Sequence, residues 1–268
     1  MRLAWVTDIH LNFLDKQGRT LFYQKILNSY CDALLISGDI AEAPCLIDIL
    51  VEMVEQVKKP IYFILGNHDY YRGHVSEVRA AATALTETHG QLFWLPASGI
   101  RVLNNHTILL GQDGWADGRW GSYENSNVAL NDSRLIADLF QAKVRGKFQL
   151  LKKMQELADM DAMQLQNDLD QAINKNPKRI IVLTHVPPFK EACIYNGQMS
   201  DENWLPYFSS KVMGDLLKRI AEQNPLIEFL ILCGHTHSKS TYKPLDNLII
   251  NVGYAEYYQP EIQETQCL

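Results

Sequence analysis

Five short polar clusters hold the side chains that could do chemistry in this chain, and each follows an apolar run of strand length. They are Asp8-Ile9-His10 after the run Leu3 to Thr7, Gly38-Asp39 after Ala33 to Ser37, and Gly66-Asn67-His68-Asp69 after Ile61 to Leu65. His185 follows Ile180 to Thr184, and Gly234-His235-Thr236-His237 follows Phe229 to Cys233. Mixed imidazole and carboxylate groups suit Mn, Fe, Zn, Co or Ni rather than Ca or Mg, and the lack of cysteine disfavours a thiolate-held zinc. A lone Asp-x-His or strand-end aspartate is more often a helix cap or turn residue. Five strand ends with ligand types need a common reason, and open α/β sheets supply one. Their ligand crevices lie outside the carboxyl ends of the strands, where loops distant in sequence converge.

The elements that must position these groups are legible as alternation. The runs above, with Ile108 to Leu110 and Leu248 to Val252, are short, rich in branched or aromatic residues, and bounded by polar or glycine residues, which predicts strands. Pro44 to Lys59 predicts a helix, with Leu46, Ile49, Leu50, Met53, Val54 and Val57 on one face. Strands apolar throughout suit a sheet covered on both faces by helices, a layered α/β/α arrangement. From about Trp115 to Asn176 the rhythm breaks. A loop with glycines and tryptophans, Gly114 to Tyr123, opens a long polar helical stretch, expected to be an insertion that caps the site.

Composition narrows the class. The 268 residues suffice for one large domain with an insertion, and no apolar run of bilayer length occurs, so a soluble protein without membrane partners is expected. A net charge of -6 argues against a broadly basic nucleic-acid surface. Five cysteines with no metal-knuckle spacing point to a reducing compartment. The first strand reaches Asp8 at once, leaving no room for a secretory leader, so a cytoplasmic location is expected.

In order and spacing, Asp-x-His, Gly-Asp-x-x-Glu, Gly-Asn-His-Asp, His and Gly-His-x-His resemble the motifs of the calcineurin-like metallophosphoesterase superfamily, here from Asp8 to His237. The resemblance implies an α/β fold, a layered β-sandwich flanked by helices (α/β/β/α) with a mainly helical insertion, in one domain over residues 1–268. It implies two divalent transition-metal ions, with Mn expected in vitro. One would be held by Asp8, His10, Asp39 and His237, the other by Asp39, Asn67, His185 and His235. It further implies that His68 protonates or stabilises the leaving oxygen and that Asp69 orients its imidazole. The implied reaction is hydrolysis of a phosphomonoester or phosphodiester by a metal-bridging hydroxide. Two ions with four positive charges against Asp8, Asp39 and hydroxide leave a cationic site that attracts phosphate.

The substrate is less constrained. Ser/Thr protein phosphatases of the superfamily carry arginines after the second motif and before the third; here Ile40, Ala41 and Glu42 follow Asp39, and Leu65 precedes Gly66. A small phosphorylated substrate, for example a nucleotide, is expected instead, with nuclease or nucleotide pyrophosphatase activity as alternatives within enzymes. A non-catalytic interaction module on the same fold is the alternative outside them. Candidate substrate contacts are Tyr70, Tyr71, Arg72 and His74 after the third motif, and Trp115, Arg119, Trp120 and Tyr123 in the insertion. Glu42 is expected to be a supporting acid or a helix cap.

Overall fold

Branched and aromatic side chains pack well on a pleated surface, and the expected runs all form strands. The computed structural model describes residues 1–195 and 197–268. In chain order the elements are β1 (Arg2–Val6), α1 (Lys16–Asn28), β2 (Ala33–Ser37), α2 (Ala43–Val57), β3 (Ile61–Ile64), α3 (Val75–Thr88), β4 (Leu92–Trp94), α4 (Leu95–Ser98), β5 (Arg101–Asn104) and β6 (Thr107–Gly111). Next come α5 (Asp132–Leu135), α6 (Ala137–Val144), α7 (Lys147–Ile173), β7 (Arg179–Leu183), β8 (Ile194–Tyr195) and β9 (Gln198–Met199). The chain ends with α8 (Leu205–Phe208), α9 (Lys211–Gln223), β10 (Glu228–Cys233), β11 (Ser240–Leu245), β12 (Leu248–Val252) and β13 (Glu264–Cys267).

Two sheets stack face to face. The first has the order β13-β1-β2-β3-β4, parallel except for β13. The second has the order β11-β12-β10-β7-β6-β5, with a parallel centre and an antiparallel strand at each edge. Leu3, Trp5, Leu35 and Ile64 of the first sheet share a buried cluster with Leu109, Ile181, Leu183 and Leu232 of the second. The alternate residues point outward: Ala4, Val6, Leu34 and Ile36 pack with α1, α2 and α3, while Ile108, Leu110, Ile180 and Val182 pack with α7 and α9.

The fold is therefore a mixed α/β sandwich, α/β/β/α, and the three-layer arrangement read from the apolar runs is corrected. An apolar run shows only that both faces of a strand are covered. Here one cover is helix and the other is the second sheet.

The stretch from Trp115 to Asn176 divides in two. Residues 112–131 form a loop past the strand ends, followed by α5 and α6, whereas α7 is a core helix. Leu150, Met154, Leu157 and Ala158 of α7 join the first outer core; Ala162, Leu165, Leu169 and Ala172 join the second. Its polarity is misleading because two of its acids are buried in specific pairings. Asp161 meets Arg79 at 2.9 Å, and Asp168 accepts from Gln112 at 3.1 Å. Among the described residues no helix is long and apolar enough to cross a membrane.

Candidate metal centre

The five polar clusters converge because β1, β2 and β3 of one sheet and β7 and β10 of the other end at the same rim. Asp8, His10, Asp39 and His237 each offer a ligand atom, all within 4.8 Å of one another. His10 Nε2 lies 3.3 Å from His237 Nε2, and His237 Nε2 lies 3.3 Å from Asp8 Oδ1. Burial pushes the His10 imidazole down to about 4, against the pull of Asp39, so it is neutral with a lone pair to give. Burial is the largest single influence on Asp8 and opposes its charge, but the hydrogen bond from His237 and the charges of His185 and His237 together outweigh it and hold the carboxyl at about 2. Lone-pair atoms crowded this closely repel one another, and a cation among them turns that repulsion into ligation.

A second group adjoins the first. His185 Nε2 is 3.0 Å from Asn67 Oδ1 and 3.3 Å from Asp39 Oδ1, and His235 Nδ1 is 3.0 Å from Asn67 Oδ1. The outer ring nitrogens are anchored: His185 Nδ1 pairs with the Ser37 carbonyl and His235 Nε2 with the Tyr207 carbonyl, both at 2.9 Å. A carbonyl accepts only from N–H, so the outer nitrogen of each ring carries a hydrogen and the inward one is the nitrogen that can bind an ion. Asp39 divides its oxygens. Oδ1 faces His185, while Oδ2 lies 3.9 Å from His10 Nε2. Burial opposes charge on His185, yet Asp39 holds its imidazole up at about 10. A cation taken up there displaces that proton.

Backbone strain is concentrated at the same rim. Asp8, His10, Asp39, His235 and His237 all have φ between 40° and 71°. Residues with a Cβ seldom adopt this left-handed conformation. Close approach explains two glycines. A Cβ on Gly66 would collide with Asp39 Oδ1, and one on Gly234 with Asp8 Oδ2 and Thr7 Oγ1.

His68 stands beside these groups. Its Nε2 lies 4.0 Å from Asp39 Oδ2, its ring stacks on Tyr71 at 4.2 Å, and its backbone N–H donates to Asp39 Oδ1 at 2.8 Å. The expectation that Asp69 orients the imidazole is corrected. Asp69 Oδ1 accepts from the N–H groups of Ile40 and Ala41, and Oδ2 from that of Gly66, all at 2.8 Å. His68 Nδ1 is buried without a partner among the described residues. Asp69 thus ties the second motif's loop to the third, and packing against Tyr71 sets the imidazole. Burial, with the Asp39 charge second, raises the Asp69 carboxyl to about 8 against those donors.

The other candidates disperse. Tyr70 is buried and its hydroxyl donates to Asp113; Arg72 pairs with Glu42, which occupies the N-cap position of α2 without a side-chain cap bond. His74 lies 3.5 Å from Asp138, Arg119 pairs with Asp117 and Asp159, and Trp120 sits under the ammonium groups of Lys190 and Lys211. Tyr71 alone of these borders the open cleft with Asp39, His68 and His237. Two residues at the site were missed. Asp132 accepts from Asn67 Nδ2 at 2.9 Å, and the Tyr257 ring lies 4.8 Å from that of His10 and 5.1 Å from that of His237. In sequence Asp132 reads as a helix-start acid and Tyr257 as one of several tail tyrosines, so neither carried a signal.

Residues 1–239 match the calcineurin-like phosphoesterase family, and the chain belongs to it. Among solved structures it is similar to a phosphopantetheinyl hydrolase from Mycobacterium tuberculosis, with 13% identity and TM-score 0.67, over 96% of this chain and 89% of that one. It is also similar to a dimetal phosphatase from Danio rerio, with 10% identity and TM-score 0.60, over 95% and 87%. A Thermus thermophilus protein, TT1561, matches with 12% identity and TM-score 0.53, over 94% and 88%. No curated protein sequence matches the chain.

Proposed function

We propose that the protein hydrolyses small phosphoric esters with two divalent transition-metal ions, manganese being the ion to test first. Asp8, His10, Asp39 and His237 would hold one ion; Asp39, Asn67, His185 and His235 would hold the other. The observation that carries this reading is the division of Asp39, one oxygen facing His185 and the other facing His10. When bound, such ions supply Lewis acidity toward phosphoryl oxygens and a nucleophile at neutral pH.

The chain's own groups do the rest. Asn67 contributes a neutral oxygen, so the site stays cationic enough to draw in a phosphate. His68 borders the cleft, a cavity of about 370 Å³, where it would serve as the general acid for the departing oxygen. Tyr71, Phe208 and Tyr257 give that cleft aromatic walls, which suits an organic ester such as a nucleotide. A module without catalytic activity would have no use for five ligand residues in left-handed backbone. The five free cysteines support a reducing, cytoplasmic setting.

The test is hydrolysis of p-nitrophenyl phosphate and its bis-ester with and without added Mn. Metal-dependent release of nitrophenolate from either is expected; none from either, with the ions bound, overturns the reading.

A further inference from the structure

Two cavities meet at the second ligand group. One is the open cleft bordered by Asp39, His68, His237 and Tyr257. The other, about 330 Å³, is walled by Trp115, Tyr123, Val128, Leu139, Leu150 and Met154. Asn67, Leu130, Asp132 and His235 border both, whereas His68 borders the cleft alone.

Apart from Asn67, Asp132 and His235 at the shared edge, none of the second cavity's walls belongs to the ligand groups. Its walls are mainly apolar, and an unfilled apolar space forfeits packing contacts, whereas concave, largely apolar hollows with a few polar groups are what organic ligands occupy. Trp115 adds an independent sign: it is only 5% exposed, and its indole N–H has no partner among the described residues. A buried donor left unpaired is costly, and an acceptor on a bound organic group would satisfy it.

Resting on the phosphoesterase reading, we propose that this cavity is the subsite for the ester group that stays on phosphorus. The substrate is then a phosphodiester with one bulky apolar alcohol. Water adds to phosphorus, the bond to the other alcohol's oxygen breaks, and that oxygen takes a proton at His68. The products are the free alcohol and the phosphomonoester of the apolar group. His68 decides the sides: the departing oxygen must lie in the cleft it borders, so the group in the apolar cavity is the one retained.

The experiment uses the metal-loaded protein and a series of 4-nitrophenyl phosphodiesters whose second ester group is methyl, benzyl or 1-naphthylmethyl. The leaving group is constant, so only the retained group varies. From methyl to 1-naphthylmethyl, kcat/KM is expected to rise about 10- to 100-fold, the scale of a few buried methylenes. 1-Naphthylmethyl phosphate is the expected second product. A flat series with good turnover overturns the subsite and leaves the phosphoesterase reading standing. No turnover of any member by protein that hydrolyses p-nitrophenyl phosphate overturns the diester proposal and leaves the phosphoesterase reading standing; if that monoester is untouched too, the reading itself falls, and binding then decides the cavity. Calorimetry with 1-naphthalenemethanol should show binding to wild type that weakens at least about tenfold in Ala129→Phe and in Ala116→Leu, which fill the cavity at two different points. Absence of binding to wild type, or equal affinity in both folded variants, overturns the proposal.

Discussion

Asp132 fixes which way Asn67 faces. Asn67 Nδ2 donates to Asp132 Oδ1 at 2.9 Å, and the same oxygen accepts from the Tyr71 hydroxyl at 2.7 Å. With its amide nitrogen held, Asn67 turns its oxygen to His185 and His235. Groups that orient a ligand typically contribute about 10- to 100-fold in metal affinity. Asp132→Ala is therefore expected to weaken the second ion by that factor and leave the first unchanged. Titration with chelator-buffered metal should show two unequal affinities drawn further apart; equal weakening of both would mean that Asp132 acts through the fold.

Asp39 should behave differently from Asn67. Because the two oxygens of Asp39 face the two groups separately, Asp39→Asn is expected to lower metal content toward zero. Asn67→Ala should leave close to one ion per chain. Elemental analysis after loading and desalting checks both, and wild-type content in Asp39→Asn would exclude the shared-ligand role.

Much of this candidate site was legible because its proposed ligands follow central parallel strands, whose uninterrupted apolar runs announce themselves. The edges were not. β11 contains Pro244 and alternates half-buried with exposed residues, and β13 is the polar segment Glu264–Cys267, paired on one side only. Such strands depend on a neighbour already in place, and neither carries the uninterrupted apolar run that marks a central one. The same holds for α7, whose buried Asp161 and Asp168 look like surface acids until Arg79 and Gln112 are brought to them. For Asp69 the family resemblance implied a contact with the His68 imidazole, whereas the carboxyl oxygens accept from backbone N–H groups across the rim.

Acid stability should depend in part on a pair away from the site. Arg19 grips Glu52 through Nε and Nη2 at 2.8 and 2.9 Å, and the hydrogen bonds, working against burial, hold the Glu52 carboxyl below its ordinary value. Since the folded value is depressed, the stabilisation is present above the unfolded value, 4.5, and is lost as pH falls through the folded one. The pair is partly exposed, so its contribution is about 0.2–1 kcal/mol. Glu52→Gln should lower Tm by about 1–3 °C at pH 7, with the two melting curves merging once the pH has fallen through the folded value. A constant offset at all pH values would show that packing, not ionisation, is responsible.

Substitution of His68 tests whether catalysis separates from metal binding. Its imidazole borders the cleft, its Nε2 lies 4.0 Å from Asp39 Oδ2, and it belongs to neither group of converging ligand atoms. His68→Ala should therefore keep both ions. Its backbone N–H, which donates to Asp39, survives the substitution, so the shared ligand stays anchored. General acid catalysis contributes about 10²–10⁴-fold, and a loss of that size is expected on alkyl esters, whose leaving oxygen needs a proton. Nitrophenyl esters, which leave without one, should lose much less. Metal content and both rates measured on the same samples distinguish the outcomes. Metal lost in proportion to activity would make His68 a ligand or a support. Equal losses on the two esters with full metal content would assign it to stabilising charge on phosphorus rather than to proton transfer.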